Sequence, residues 1–251
     1  MAARTTSPLR WLFMSIVAAA SIIALSSSVA AIDAATAAPA EFHFVRMMYA
    51  DNGNRPSYRG WWAQDYTDAE ENFLPNLARM TRIQVGAPQT LLLTDERLFD
   101  YPWLYATQTG DWDLSDAELQ RLREYLLRGG FLMCDDFWGD ERQVFDATMA
   151  RLFPEYPMEE LHDTDAVLHV VYGIDEFTQI PGLRHLRNLG NLPAPRWYGI
   201  YDDKRRLMVG INYNQDVGDS WEHANLPEYP QPMTALGYRF GINYIVYAMT
   251  H

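Results

Sequence analysis

The run from Leu114 to Gly139, LSDAELQRLREYLLRGGFLMCDDFWG, constrains the fold more than any other part of the chain. Ser115-Asp116-Ala117-Glu118 is a capping box, in which a serine accepts from the backbone three residues on and a glutamate reaches back. Leu119, Leu122, Leu126 and Leu127 follow at helical spacing and predict one apolar face. Gly129 is placed to close the helix, because the residue after the C-cap takes a left-handed conformation that glycine adopts without steric cost. Phe131 to Cys134 then reads as a buried strand, and Asp135 and Asp136 stand where it ends. Capped helix, tight turn, buried strand and polar strand end are the repeating unit of an α/β sheet, and such sheets bind ligands at the C-terminal ends of their strands.

Similar units recur along the chain. Phe42 to Tyr49 is a strand candidate that ends at Asp51-Asn52. Thr67-Asp68-Ala69-Glu70 is a second capping box, followed by Ala69, Phe73, Leu77 and Met80 at helical spacing; Pro75 predicts a kink or a split there. Thr90 to Thr94 is a short continuous apolar run ending at Asp95-Glu96, which predicts a strand buried on both faces. Asp140 to Phe153 reads as a helix stopped by Pro154, and Ala166 to Tyr172 as a strand. Tyr198 to Tyr201 and Leu207 to Tyr213 read as a strand pair across the Asp202-Asp203 turn. Met233 to Met249 is a final apolar helix, interrupted by Arg239 and Asn243, so that core packing is expected and not a membrane span. Strands separated by helices predict an α/β fold: a single three-layer sandwich with a largely parallel sheet, occupying residues 41–251.

The first thirty residues have the layout of a signal peptide: Arg4 and Arg10, an apolar stretch from Trp11 to Leu25, and small residues at Ser28-Val29-Ala30. Residues 31–40 are an alanine-rich linker. The expected location is therefore the periplasm or the exterior, the alternative being an anchor formed by an uncleaved leader. The net charge of −13 becomes more negative still without Arg4 and Arg10, which argues against nucleic acid and anionic membrane surfaces as partners. The lone cysteine, Cys134, cannot form an intrachain disulfide, and a place in the core is expected for it.

Several stretches together resemble the bacterial domain-of-unknown-function family 4159. They are Trp62 with Asp65-Tyr66, the Asp100-Tyr101-Pro102 to Tyr105 segment, the run from Leu122 to Asp136, Phe153-Pro154, the stretch Asn214 to Glu222, and Gly241-Ile242-Asn243. The resemblance covers nearly the whole mature chain. It implies a flavodoxin-like fold similar to class I glutamine amidotransferases, and no established activity. The sequence departs from the family at Asp165 to His169, where the resemblance would place a His-Pro pair.

Amidotransferase chemistry needs a thiolate on a glycine-flanked elbow. Cys134 is flanked by Met133 and Asp135, and counting from Gly129-Gly130 the elbow falls nearer Asp136. The two acids also disfavour a thiolate, so an active glutamine amidotransferase is not expected. Period-two alternation predicts that one of Asp135 and Asp136 faces a crevice while the other binds backbone N–H groups. Asn212, Asn214 and Asp216 follow the last strand, and carboxylate and amide oxygens at converging strand ends suit a hard divalent cation or acid–base work on a sugar. Asp135, Asp136, Asp216 and Glu222 are the candidate pocket residues, with Trp62, Asp65 and Trp221 at the rim. No histidine pair has zinc-helix spacing. Aromatic residues fall mostly in the predicted loops, which suggests a sugar-stacking surface. The expected function is a ligand-binding or assembly module of the cell envelope, with an unidentified envelope ligand or protein partner. The alternative is a carboxylate- or metal-dependent hydrolase of a glycan or envelope polymer, with Asp136 as base or ligand and Glu222 as acid.

Overall fold

In order along the chain lie β1 (Val45–Met48), β2 (Ala50–Asp51), α1 (Asp68–Thr81), β3 (Gln89–Leu92), β4 (Trp103–Ala106), β5 (Trp112–Asp113) and α2 (Asp116–Leu127). They are followed by β6 (Phe131–Phe137), α3 (Arg142–Leu152), β7 (Met158–Glu160), β8 (Arg196–Tyr201), β9 (Leu207–Tyr213), α4 (Val217–Glu222) and α5 (Gln231–Thr250). The structure is a computed structural model that describes residues 39–55, 57–175 and 177–251. The expectations of a signal peptide and of most of the alanine-rich linker lie outside the described residues.

Seven strands form one sheet in the order β3-β1-β4-β6-β9-β8-β7. The first five run parallel, and β8 and β7 extend the sheet antiparallel through the β8–β9 hairpin. The order of the parallel strands is that of a flavodoxin-like doubly wound sheet. β2 and β5 form a separate antiparallel pair. Alternation along each strand divides the core into two layers. Phe44, Trp103, Tyr105, Phe131 and Met133 pack with α1, α4 and α5 on one face. Val45, Met47, Leu104, Ala106, Leu132 and Cys134 pack with α2 and α3 on the other. The result is the expected α/β three-layer sandwich.

The Ser115 box forms as expected, with Ser115 Oγ accepting from Glu118 N and Glu118 Oε2 accepting from Ser115 N at 2.9 Å. Elsewhere tertiary contacts override local signals. Thr67 makes no capping bond to the backbone, and Glu70, which should reach back to it, is drawn inward to Arg46, with Nε to Oε1 at 2.5 Å. α1 runs unbroken through Pro75, because Pro75 and Glu71, whose carbonyl loses its partner, are both exposed. β3 is an edge strand, so Leu91 is buried while Leu92 is 48% exposed. Leu127 is exposed as well, since adjacent helical residues point about 100° apart and Leu126 takes the core position. Ala166 to Tyr172 is a 3-10 turn and irregular chain, not a strand. The buried Asn243 replaces a ladder there: its Oδ1 accepts from Val171 N and Tyr172 N, and its Nδ2 donates to Tyr172 O.

Candidate carboxylate site at the strand ends

Four parallel strands deliver polar residues to one edge of the sheet: Asp51 after β1, Thr107 to Thr109 after β4, Asp135 and Asp136 in β6, and Asn212 to Asp216 at the end of β9. In β6, alternation carries Asp135 to the α4 face, where it is fully buried. Its Oδ2 accepts from Tyr105 Oη at 3.0 Å and from Gly218 N at 2.8 Å, and its Oδ1 from Asn212 Nδ2 at 3.3 Å. Burial pushes its pKa up to about 6, against the downward pull of the α4 backbone N–H groups. Asp135 is therefore the fastening between β6 and the start of α4.

Asp136 breaks the alternation. Its φ is 48°, and the β6–β9 register shifts between Cys134 and Phe137, so a bulge turns the side chain aside. Trp138 Nε1 donates to its Oδ1 at 2.7 Å and Gln108 Nε2 donates to its Oδ2. Burial, followed by the nearby Asp65, holds its pKa well above the usual carboxylate range.

Asp136 belongs to a larger group of acids. Asp65, Asp216 and Asp219 each place a carboxylate oxygen within 4.8 Å of the others. Asp219, Glu222 and His223 do the same on the neighbouring side. Asp216 is the N-cap of α4 and Asp219 lies in its first turn, where Asp216 Oδ1 accepts from Asp219 N at 3.0 Å. Asp219 Oδ2 also accepts from Leu183 N at 2.6 Å. Gly182 closes the floor so tightly that a Cβ there would lie 2.5 Å from Asp216 Oδ2 and 3.0 Å from Asp219 Oδ2. Among the described residues no lysine or arginine forms an ion pair with Asp65, Asp135, Asp136, Asp216, Asp219 or Glu222; only His223 approaches, at 3.6 Å from Asp219 and 3.5 Å from Glu222. The pKa values respond accordingly. Burial and then Asp136 raise Asp216, burial and then Asp219 raise Asp65, and burial followed by Asp65 pushes Glu222 up to about 9. So many carboxyls cannot all ionise in a buried site unless a cation offsets their charge; without one, some of them keep their protons.

Asp136, Asp216 and Glu222 each feel the charge of Asp65, and Asp135 acts on both Asp136 and Asp216. Trp62 is half-buried in the turn that carries Asp65, beside Tyr66. Trp221 is not at a rim. It is fully buried, 4.4 Å from the Phe73 ring and 5.8 Å from Tyr105, because α4 packs its apolar face onto α1 and the sheet. Trp103, Trp112, Tyr105 and Phe137 are likewise core residues and drop out of the expected aromatic loop surface, whereas Tyr58 is exposed and Trp61, Tyr66 and Trp138 are half-buried. Cys134 is fully buried on the α2–α3 face, where burial and then Asp135 raise its thiol pKa well above the ordinary value.

Sequence reasoning passed over Asp219, although Asp216, Asp219 and Glu222 stand three apart and so share one face of a short helix. Gln108 and Gly182 carried no local signal, since their roles come from segments distant in sequence, whereas Trp138 donates to Asp136 only two residues away. A cavity of about 540 Å³ between Gly173, Ile174, Pro232 and Leu236 shares no lining residue with the carboxylates. A family model described as a domain of unknown function (DUF4159) matches residues 43–249. No curated protein matches the chain.

Proposed function

We propose, for a chain that belongs to the DUF4159 family and takes no assigned activity from it, that the strand-end carboxylates bind a hard divalent cation. In this reading the protein is an exported ligand-binding module of the cell envelope. The observation that carries it is the trio Asp65, Asp216 and Asp219, with oxygens within 4.8 Å of one another and no lysine or arginine paired to them among the described residues. Cations such as calcium take carboxylate oxygens at about 2.3–2.6 Å, so oxygens on opposite sides of one ion lie up to about 5 Å apart. Glu222 and Asp136 extend the oxygen set, and Gly182 leaves room for it by having no side chain.

Calorimetric titration with calcium, magnesium and manganese tests this, alongside melts with and without chelator. Saturation at one hundred times the dissociation constant raises stability by about 2.7 kcal/mol. Asp216→Asn should abolish that gain. A wild-type protein whose melting temperature and heats ignore all three ions would sink the reading. Export is tested separately by cell fractionation and by sequencing the mature N-terminus.

The left-handed backbone at Asp136 supports a second reading, a hydrolase, because strain at a strand end often marks a reacting group. That reading needs one ionised and one protonated carboxyl. The trio Asp65, Asp216 and Asp219, with oxygens within 4.8 Å of one another, ranks ion binding first. Turnover of a glycan substrate that Asp136→Asn removes from a folded protein would reverse that order.

A further inference from the structure

Asp136 accepts two side-chain hydrogen bonds, and both donors trace back to one residue. Arg55 lies outside the sheet, on the loop after β2, with its side chain 39% exposed. Each guanidinium nitrogen is used. Nε donates to Asp111 Oδ1 at 3.0 Å, and Nη2 donates to Asp111 Oδ2 and, at 2.5 Å, to Gln108 Oε1. Nη1 lies 3.2 Å from Glu141 Oε1. The Trp61 ring, 4.2 Å from the guanidinium carbon, covers the group, and the Trp61 indole donates back to Arg55 O at 3.1 Å.

Two arms run from this fork to Asp136. In the first, an arginine can only donate, so Gln108 must present its oxygen to Arg55 and its NH₂ to Asp136 Oδ2. Arg55 and the carboxylate select the same orientation of the amide, and without Arg55 the Gln108 oxygen loses the donor that holds it. In the second, Glu141 is held by Arg55 through Oε1 and accepts from Trp138 N at 2.7 Å through Oε2. That bond seats Trp138, whose indole donates to Asp136 Oδ1.

We infer that Arg55 is the positioning residue of the strand-end site: through Gln108 and through Glu141 with Trp138 it aims both hydrogen-bond donors at Asp136. The inference rests on the cation-site reading for its functional consequence, a loss of ion affinity, but its structural content can be read without any ion. Hydrogen-bonding partners behind ligating groups typically change affinity by about 10–100-fold when removed.

The test uses the full chain, ¹⁵N-labelled, with the Trp138 indole resonance assigned by its loss in Trp138→Phe. In Arg55→Gln the Trp138 indole N–H should shift upfield and exchange at least about tenfold faster, while the resonances of the core indoles stay in place. Arg55→Lys should behave nearly the same, because one ammonium cannot make the forked contact. Glu141→Gln breaks only the second arm and should move the Trp138 indole without Arg55 being altered, which keeps the test decisive if the arginine variants unfold. Calcium affinity, measured on the same proteins, should fall about tenfold or more in Arg55→Gln. An unchanged Trp138 indole in both Arg55→Gln and Glu141→Gln would overturn the inference. If wild type binds no divalent ion, the cation reading falls, and the indole measurement still decides whether Arg55 sets the donors of Asp136.

Discussion

Gly182 illustrates how a single position sets the size of the site. A Cβ added there would lie 2.5 Å from Asp216 Oδ2, a separation that forces a carboxylate to move. Asp219 would be pressed from the same side, at 3.0 Å, while held by Leu183 N. Gly182→Ala should therefore lower divalent-ion affinity about tenfold or more while leaving the fold intact. Titration calorimetry beside circular dichroism checks both halves, and an alanine variant that binds calcium like wild type would show that the Asp216–Asp219 spacing does not govern the site. At this scale the sequence was only partly legible. Asp136 and Asp216 stood out because they follow hydrophobic strands. Gly182 carried no such mark, since its role depends on carboxylates more than thirty residues away. Trp221 misled for a related reason: a tryptophan flanked by Ser220 and Glu222 reads as surface until α4 is seen to roll it under α1.

At the level of elements, the helices that carry the acids are set by close and buried contacts. α5 passes α4 so tightly that a Cβ on Gly241 would meet Trp221 at 2.7 Å and Phe73 at 2.8 Å. Gly241→Ala should cost about 1–3 kcal/mol, the usual range for overpacking a core, and urea denaturation would register it as a lower midpoint. α1 is pinned to β1 by Arg46, whose Nη1 also donates to Gln64 O at 2.6 Å just before Asp65. Glu70→Ala leaves that guanidinium buried without its carboxylate and should cost about 3–5 kcal/mol. An unchanged denaturation midpoint would mean that the ion pair adds nothing to α1 docking. The main elements were readable because capping, periodicity and turn residues agree with the final packing, as at Ser115 and Gly129. Thr67 to Glu70 was misread because tertiary contact with Arg46 outweighs a local capping box. Ala166 to Tyr172 was misread because a buried asparagine on α5 satisfies its backbone as a neighbouring strand would.

Over the whole molecule, the site makes stability a function of pH and of divalent ion together. Burial holds Asp65, Asp136 and Asp216 above the usual carboxylate range, and pushes Asp135 up to about 6 and Glu222, with Asp65 beside it, up to about 9. In the unfolded chain the same carboxyls titrate near about 4, so between these limits the native state holds more protons than the unfolded one. Their contribution to stability is therefore complete below about pH 4 and is lost as pH rises through the folded values. The metal-free protein should melt at a lower temperature at about pH 9 than at about pH 5. A divalent cation reverses the trend, because it binds the ionised carboxylates and displaces the protons that otherwise offset their repulsion. The stabilisation by calcium should thus be small at about pH 5 and grow toward about pH 9, with protons released on binding near neutrality. Melting curves across that range, with calcium and with chelator, separate the two effects. Curves that run parallel at every pH would mean that ion binding is not linked to these carboxyls, and the cation would have to be sought elsewhere on this acidic surface.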